Sequence, residues 1–113
     1  MAATSNLYID AGSTFSAIIS VSGSNGLPLN LTGYTVASQI RKSYGSITVY
    51  AFTATIYDAV TGKVRIVLSA TTSSGIKPGR YLYDIEVMSP SPASEKLRVV
   101  EGLVIITPEI TKI

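Results

Sequence analysis

Arg80-Tyr81-Leu82-Tyr83-Asp84-Ile85-Glu86-Val87-Met88 is the stretch on which the fold turns. Tyr81, Tyr83, Ile85 and Val87 share one parity, while Leu82, Asp84, Glu86 and Met88 share the other. An extended chain turns successive side chains to opposite faces, so the segment reads as a strand with one face on a core and another that carries acids. The turn residues Pro78-Gly79 stand just ahead of it.

The same period of two runs outward from about Leu7 to Thr107, broken roughly every ten residues by Gly, Pro, Asn and Ser. That spacing predicts a sandwich or small barrel, with strands near 6–9, 14–22, 34–42, 49–57, 63–70, 80–88 and 96–107. Phe15, Ala17, Ile19 and Val21 make a buried face opposite Ser16 and Ser20, with Ile18 out of pattern. Gly23-Ser24-Asn25-Gly26 supplies a turn, and Tyr34, Val36, Ser38 and Ile40 resume one face. Phe52, Ala54 and Ile56 continue the core set. Asp58 to Lys63 reads as a hairpin feeding Val64, Ile66 and Leu68. Thr71 to Gly79 loses the strand period, and Ser69 or Thr71 is placed to cap a single helical turn.

Lys96 to Ile106 alternates cleanly only with a bulge, which Glu101-Gly102 is placed to supply. Beyond that point both parities are apolar. Such a strand needs cover on both faces, from a neighbouring subunit or from the N-terminal segment of its own chain.

Composition narrows the function classes. The 113 residues suit one domain, 1–113, with no internal linker or repeat. Only 14% are charged, and nine Lys and Arg against seven Asp and Glu are spread singly, giving no phosphate footprint. Nucleic acid is therefore not an expected partner. Cysteine, tryptophan and histidine are absent, so thiolate zinc sites and disulfides are excluded, and no metal or cofactor is expected. The start of the sequence shows no secretion signal, and no apolar run is long enough to span a bilayer as a helix, so no membrane partner is expected either.

Two groups of side chains invite a functional reading. Asp84 and Glu86 lie two residues apart on one strand face, about 7 Å from each other, a separation some glycosidases use. A small sandwich face is expected to offer no cleft, so no catalytic residue is assigned. If their strand lies in one sheet with the strands of Arg41 and Arg98, the four make a ladder of alternating sign, internal or shared with a partner. Tyr44, Tyr50 and Tyr57 are read as exposed, supplying either a protein interface or a platform for a host glycan.

Six short motifs, taken in order, carry a family likeness. They are Phe15 through Val21, Leu31-Thr32-Gly33-Tyr34, Gln39-Ile40-Arg41-Lys42-Ser43, Thr61-Gly62-Lys63, Pro78 through Glu86, and Val100-Glu101-Gly102. The chain resembles, from about Leu7 to Thr111, the immunoglobulin-like domain at the N-terminus of phage baseplate upper proteins and its stand-alone relatives in tailed phages, including cyanophages. The resemblance implies an all-β, immunoglobulin-like antiparallel sandwich of about seven strands with at most one short helical turn. In that fold Pro78, Gly79 and Tyr81 resemble a tyrosine corner, whose hydroxyl bonds back to the preceding backbone. It further implies a non-enzymatic virion protein, present in several copies or as a homo-oligomer, that docks to other virion structural proteins. Tail, baseplate or fibre attachment is the expected role, with capsid decoration the alternative.

Overall fold

The computed structural model describes residues 3–23, 26–90 and 94–108. Its elements are β1 (Ala3–Thr4), β2 (Leu7–Asp10), β3 (Phe15–Ser20), β4 (Thr35–Arg41), β5 (Val49–Asp58), β6 (Lys63–Leu68), α1 (Ala70–Ser74), β7 (Gly79–Met88) and β8 (Lys96–Thr107). One hydrogen-bonded path runs β1-β8-β7-β4-β5-β6-β3, with β2 also paired to β8. The path curls into two layers because β5 serves both. Val49 to Phe52 pairs with β4, and Thr53 to Asp58 pairs with β6.

One layer therefore holds β2, β8, β7, β4 and the first half of β5, and the other holds the second half of β5 with β6 and β3. The protein is all-β, and this is the immunoglobulin-type arrangement of two facing sheets. Phe52 stands where β5 changes layer, its ring 6.0 Å from Phe15 in one sheet and 6.2 Å from Tyr83 in the other. Between the layers Ile40, Val64, Ile66, Ile85 and Val104 are fully buried. Burying such side chains contributes roughly 1.5–3 kcal/mol each before the entropy of ordering them is subtracted.

Local chemistry explains the element ends. Ser69 caps α1, its hydroxyl accepting from the Thr72 N–H at 3.2 Å. Buried Ser73 ties that turn to the β2–β3 connection, accepting from the Gly12 N–H and donating to the Ser13 carbonyl. In the turn between β5 and β6, Gly62 has φ +70, and an added Cβ would stand 2.8 Å from the Val21 carbonyl. Of the Gly23–Gly26 turn, Ser24 and Asn25 lie outside the described residues, as does the tail from 109 onward.

The bulge in β8 sits two residues earlier than its sequence suggests. Ile85 pairs with Val100 and Glu86 with Arg98, so Val99 is the extra residue, and Val99 and Val100 are both buried. Gly102 serves another purpose. The Ser5 carbonyl passes directly over it, where a Cβ would collide, and the Tyr83 hydroxyl donates to the same carbonyl at 2.6 Å. Asn6 Oδ1 accepts from the Leu103 N–H at 3.0 Å. The N-terminal segment thus lies beside β8, parallel to it from Leu7↔Val104 to Asp10↔Thr107. It extends the sheet without covering it, so Leu103 and Ile105 remain half-buried on the outer face.

Candidate docking face

Strand parity builds the outer face of the β4, β7 and β8 sheet. It receives Ala37, Gln39 and Arg41 from β4, Leu82, Asp84 and Glu86 from β7, and Arg98, Glu101 and Leu103 from β8. This face is concave, contrary to the expectation that it would offer no cleft. A groove of ≈ 690 Å³ is lined by Arg41, Tyr44, Leu82, Asp84, Glu86, Arg98, Glu101 and Leu103 among others. A second depression of ≈ 290 Å³ adjoins it, sharing Gln39, Asp84 and Glu86. Small Ala37, opposite Glu86, lines the second depression, while Ser43 and Tyr44 line the groove beyond the end of β4.

Arg98 is the hub of the groove's charges. Its Nε lies 3.1 Å from Asp84 Oδ2, and its Nη1 lies 3.9 Å from Glu101 Oε2. The bulge at Val99 makes this possible, because three residues of regular strand would place Arg98 and Glu101 on opposite faces. The Arg98 and Asp84 side chains are 45% and 30% exposed, so the pair contributes roughly 0.2–1 kcal/mol.

The four-residue ladder forms only in part. β4, β7 and β8 do share a sheet, but Arg41 turns away, donating to the Ser46 carbonyl at 2.6 Å and to Gln39 Oε1 at 3.2 Å. It therefore pins the β4–β5 loop instead of pairing with acids. Among the described residues the Glu86 carboxylate has no hydrogen-bond or ion-pair partner. Asp84 and Glu86 thus share the groove, with the charge of Asp84 already committed to Arg98.

The tyrosines separate. Tyr44 stands at the groove, 77% exposed. Tyr50, read from sequence as exposed, is half-buried against the core, because its pairing with Ile40 puts it on the inner face. Tyr57 is the extra residue of a second bulge, between Ile56 and Asp58, at the far end of β5 from Tyr50. The three rings share no platform.

Tyr81 sits on the inner face, and its hydroxyl donates to the Lys77 carbonyl at 2.6 Å across Pro78 and Gly79, the hydrogen bond of a tyrosine corner. Lys42 closes over it, with its Nζ 4.7 Å from the ring centroid and 2.9 Å from the Arg80 carbonyl. Burial, and then the neighbouring Tyr50, push the Tyr81 hydroxyl above the usual phenol range, and burial raises Tyr83 as well.

Solved structures supply a comparison of folds. The chain is similar to the N-terminal domain of ORF48 of phage TP901-1, with a TM-score of 0.61 at 12% identity over 90% of this chain and 84% of that one. Looser likenesses reach a structure of VGSC beta subunits, with a TM-score of 0.45 at 14% identity over 92% of each chain. They also reach AggA, the major subunit of aggregative adherence fimbriae type I from Escherichia coli, with a TM-score of 0.41 at 13% identity over 90% of this chain and 89% of that one. No protein-family model and no curated protein matches the sequence. At these identities the likeness is one of fold.

Two features of the face escaped the sequence. Glu101 was legible only as part of a bulge, yet it is the second acid on Arg98. Tyr8, 71% exposed, stands opposite Ile105 and prolongs an apolar end of the face formed by Leu82 and Leu103. Parallel pairing of β2 with β8 brings these residues together, and no local pattern announces it.

Proposed function

We propose that this chain is a non-enzymatic structural protein of the phage virion, a single domain that docks to neighbouring virion proteins through the outer face of β4, β7 and β8. The observation that carries the reading is the groove itself. A charged floor of Arg98 between Asp84 and Glu101, with Glu86 unpaired among the described residues, meets Leu82, Leu103 and Tyr44 at its margins. Apolar contact with a few charges that select the partner is the anatomy of a specific protein interface. Fold likeness to the N-terminal domain of a phage protein supports a place in a phage particle, as does the motif resemblance to baseplate upper proteins.

Tail, baseplate or fibre attachment is the role this reading favours. Hydrolysis of a glycoside is disfavoured because Asp84 is held in an ion pair with Arg98, and a glycan platform because Tyr50 faces the core. The test is cryo-electron microscopy of the purified particle. Density for the domain at the tail with this face covered supports the adaptor. Density on the capsid lattice replaces it with decoration, and absence from the particle overturns the virion role.

A further inference from the structure

Sheets end in edges, and an edge is an invitation to pair. The other edges in this fold are short or blunted. β1 has two residues, β2 has four and ends on Asp10, and β5 leaves four residues, Val49 to Phe52, open beside β4 and is broken by the Tyr57 bulge in its second half. β3 is the exception. It ends the hydrogen-bonded path, and its six residues, Phe-Ser-Ala-Ile-Ile-Ser, include no charge, proline or glycine. Between Asp10 and Arg41 the sequence has no Asp, Glu, Lys or Arg at all.

The hydrogen bonds show which backbone groups of β3 have no partner among the described residues. Its register with β6 continues to Val21, whose N–H donates to the Gly62 carbonyl at 2.7 Å, while the Val21 carbonyl accepts from Leu29 on the same side. At the other end the Ser13 carbonyl accepts from Ser73, in the helical turn that follows β6. Odd residues therefore face β6, and alternation turns the N–H and C=O groups of Ser16, Ile18 and Ser20 to the open edge. The side chains are unfinished as well. Phe15, Ala17 and Ile19 are only partly buried on the inner face, and Ile18 is 50% exposed on the outer one.

We infer that the β3 edge pairs with the β3 edge of a second copy of this chain, antiparallel about a two-fold axis at Ile18. Opposite residues of an antiparallel pair share a face, and this register is self-complementary on both faces. Ile18 meets its own counterpart, Ser16 meets Ser20, Ala17 meets Ile19, and Phe15 meets Val21. The outward groups of Ser16, Ile18 and Ser20 then make about six backbone hydrogen bonds across the axis. No charge opposes another. The β3 layer of each copy becomes half of one continuous sheet, and the docking groove, on the other sheet, stays open.

Sedimentation equilibrium of the purified chain tests this. The wild type is expected at about twice the 11.9 kDa of one chain. Ile18→Lys and Ile18→Glu should each sediment as monomers, and their equimolar mixture should return to the dimer mass, which misfolded chains would not do. With no native cysteine, Ile18→Cys should oxidise to a disulfide-linked dimer, its Cα atoms about 5.5 Å apart across the axis. A wild type that stays monomeric up to about 1 mM overturns the proposal and leaves the edge to a strand of another protein. A dimer that survives Ile18→Lys overturns it too. Asp84→Arg, which attacks the groove, should leave the dimer intact, so the two interfaces fail separately.

Discussion

The layer of β2, β8, β7 and β4 and the layer of β3, β6 and the second half of β5 are held by different means. The first is threaded with directional contacts: Tyr83 to Ser5, Asn6 to Leu103, Tyr81 to Lys77, Lys42 to Arg80 and Arg98 to Asp84. In the second, among the described residues, apart from Arg65 Nε donating to Ser16 at 3.3 Å and the bonds that end its strands, apolar alternation sets the register. Directional contacts fix one arrangement and exclude others, whereas apolar burial rewards any partner of suitable shape. The first layer is thus built to discriminate and the second to adhere.

Substitutions can break this contrast or sharpen it. The largest effect is expected from Ile66→Ala, which empties the middle of the second layer and should cost about 2–5 kcal/mol in denaturant unfolding. Hydrogen exchange should then speed most at β3, and equal protection of β3 and β8 amides would erase the distinction. Next comes Gly102→Ala, where the new Cβ meets the Ser5 carbonyl, and a cost of about 1–3 kcal/mol is expected. Its mark should be faster exchange at 5–10, with β3 and β6 unmoved.

Tyr83→Phe should cost about 1 kcal/mol, since the Ser5 carbonyl loses its donor. It also has a signature in pH. Because the folded-state pKa of Tyr83 lies above 10.0, the folded chain holds this proton more tightly than the unfolded chain does. That contribution is complete below about pH 10 and is lost as pH rises through the folded pKa. Alkaline unfolding should therefore be less steep in Tyr83→Phe than in the wild type, and an unchanged slope would count against burial as the cause. The smallest effect belongs to Asp84→Asn. Stability should change by less than about 1 kcal/mol, while attachment to the particle weakens, and unaltered attachment would remove Asp84 from the docking face.

Much of this was legible because alternation is a local property. β7 and β8 run where the period of two placed them, and Ser69 caps α1 as one of the two candidate residues. The rest depends on distance along the chain. Val99 and Val100 are both apolar, so nothing in their chemistry marks the bulge, whereas Glu101-Gly102 has the composition of one. The need for glycine at 102 comes from Ser5, nearly the whole chain away, and the groove gathers residues of β4, β7 and β8 that only the sheet pairing brings together. Arg41 was drawn from its expected partners by a carbonyl five residues along.

The parallel pairing of β2 with β8 has a mechanical consequence. A force that separates the two ends of the domain pulls these strands past one another lengthwise. The backbone bonds from Leu7↔Val104 to Asp10↔Thr107, and those of β1 beyond them, then bear the load together, in shear. A hairpin peeled from its open end would surrender its bonds one at a time. Under tension the lifetime of a fold follows its unfolding rate, not its equilibrium stability, so four short residues of β2 act as the clamp of the whole sandwich.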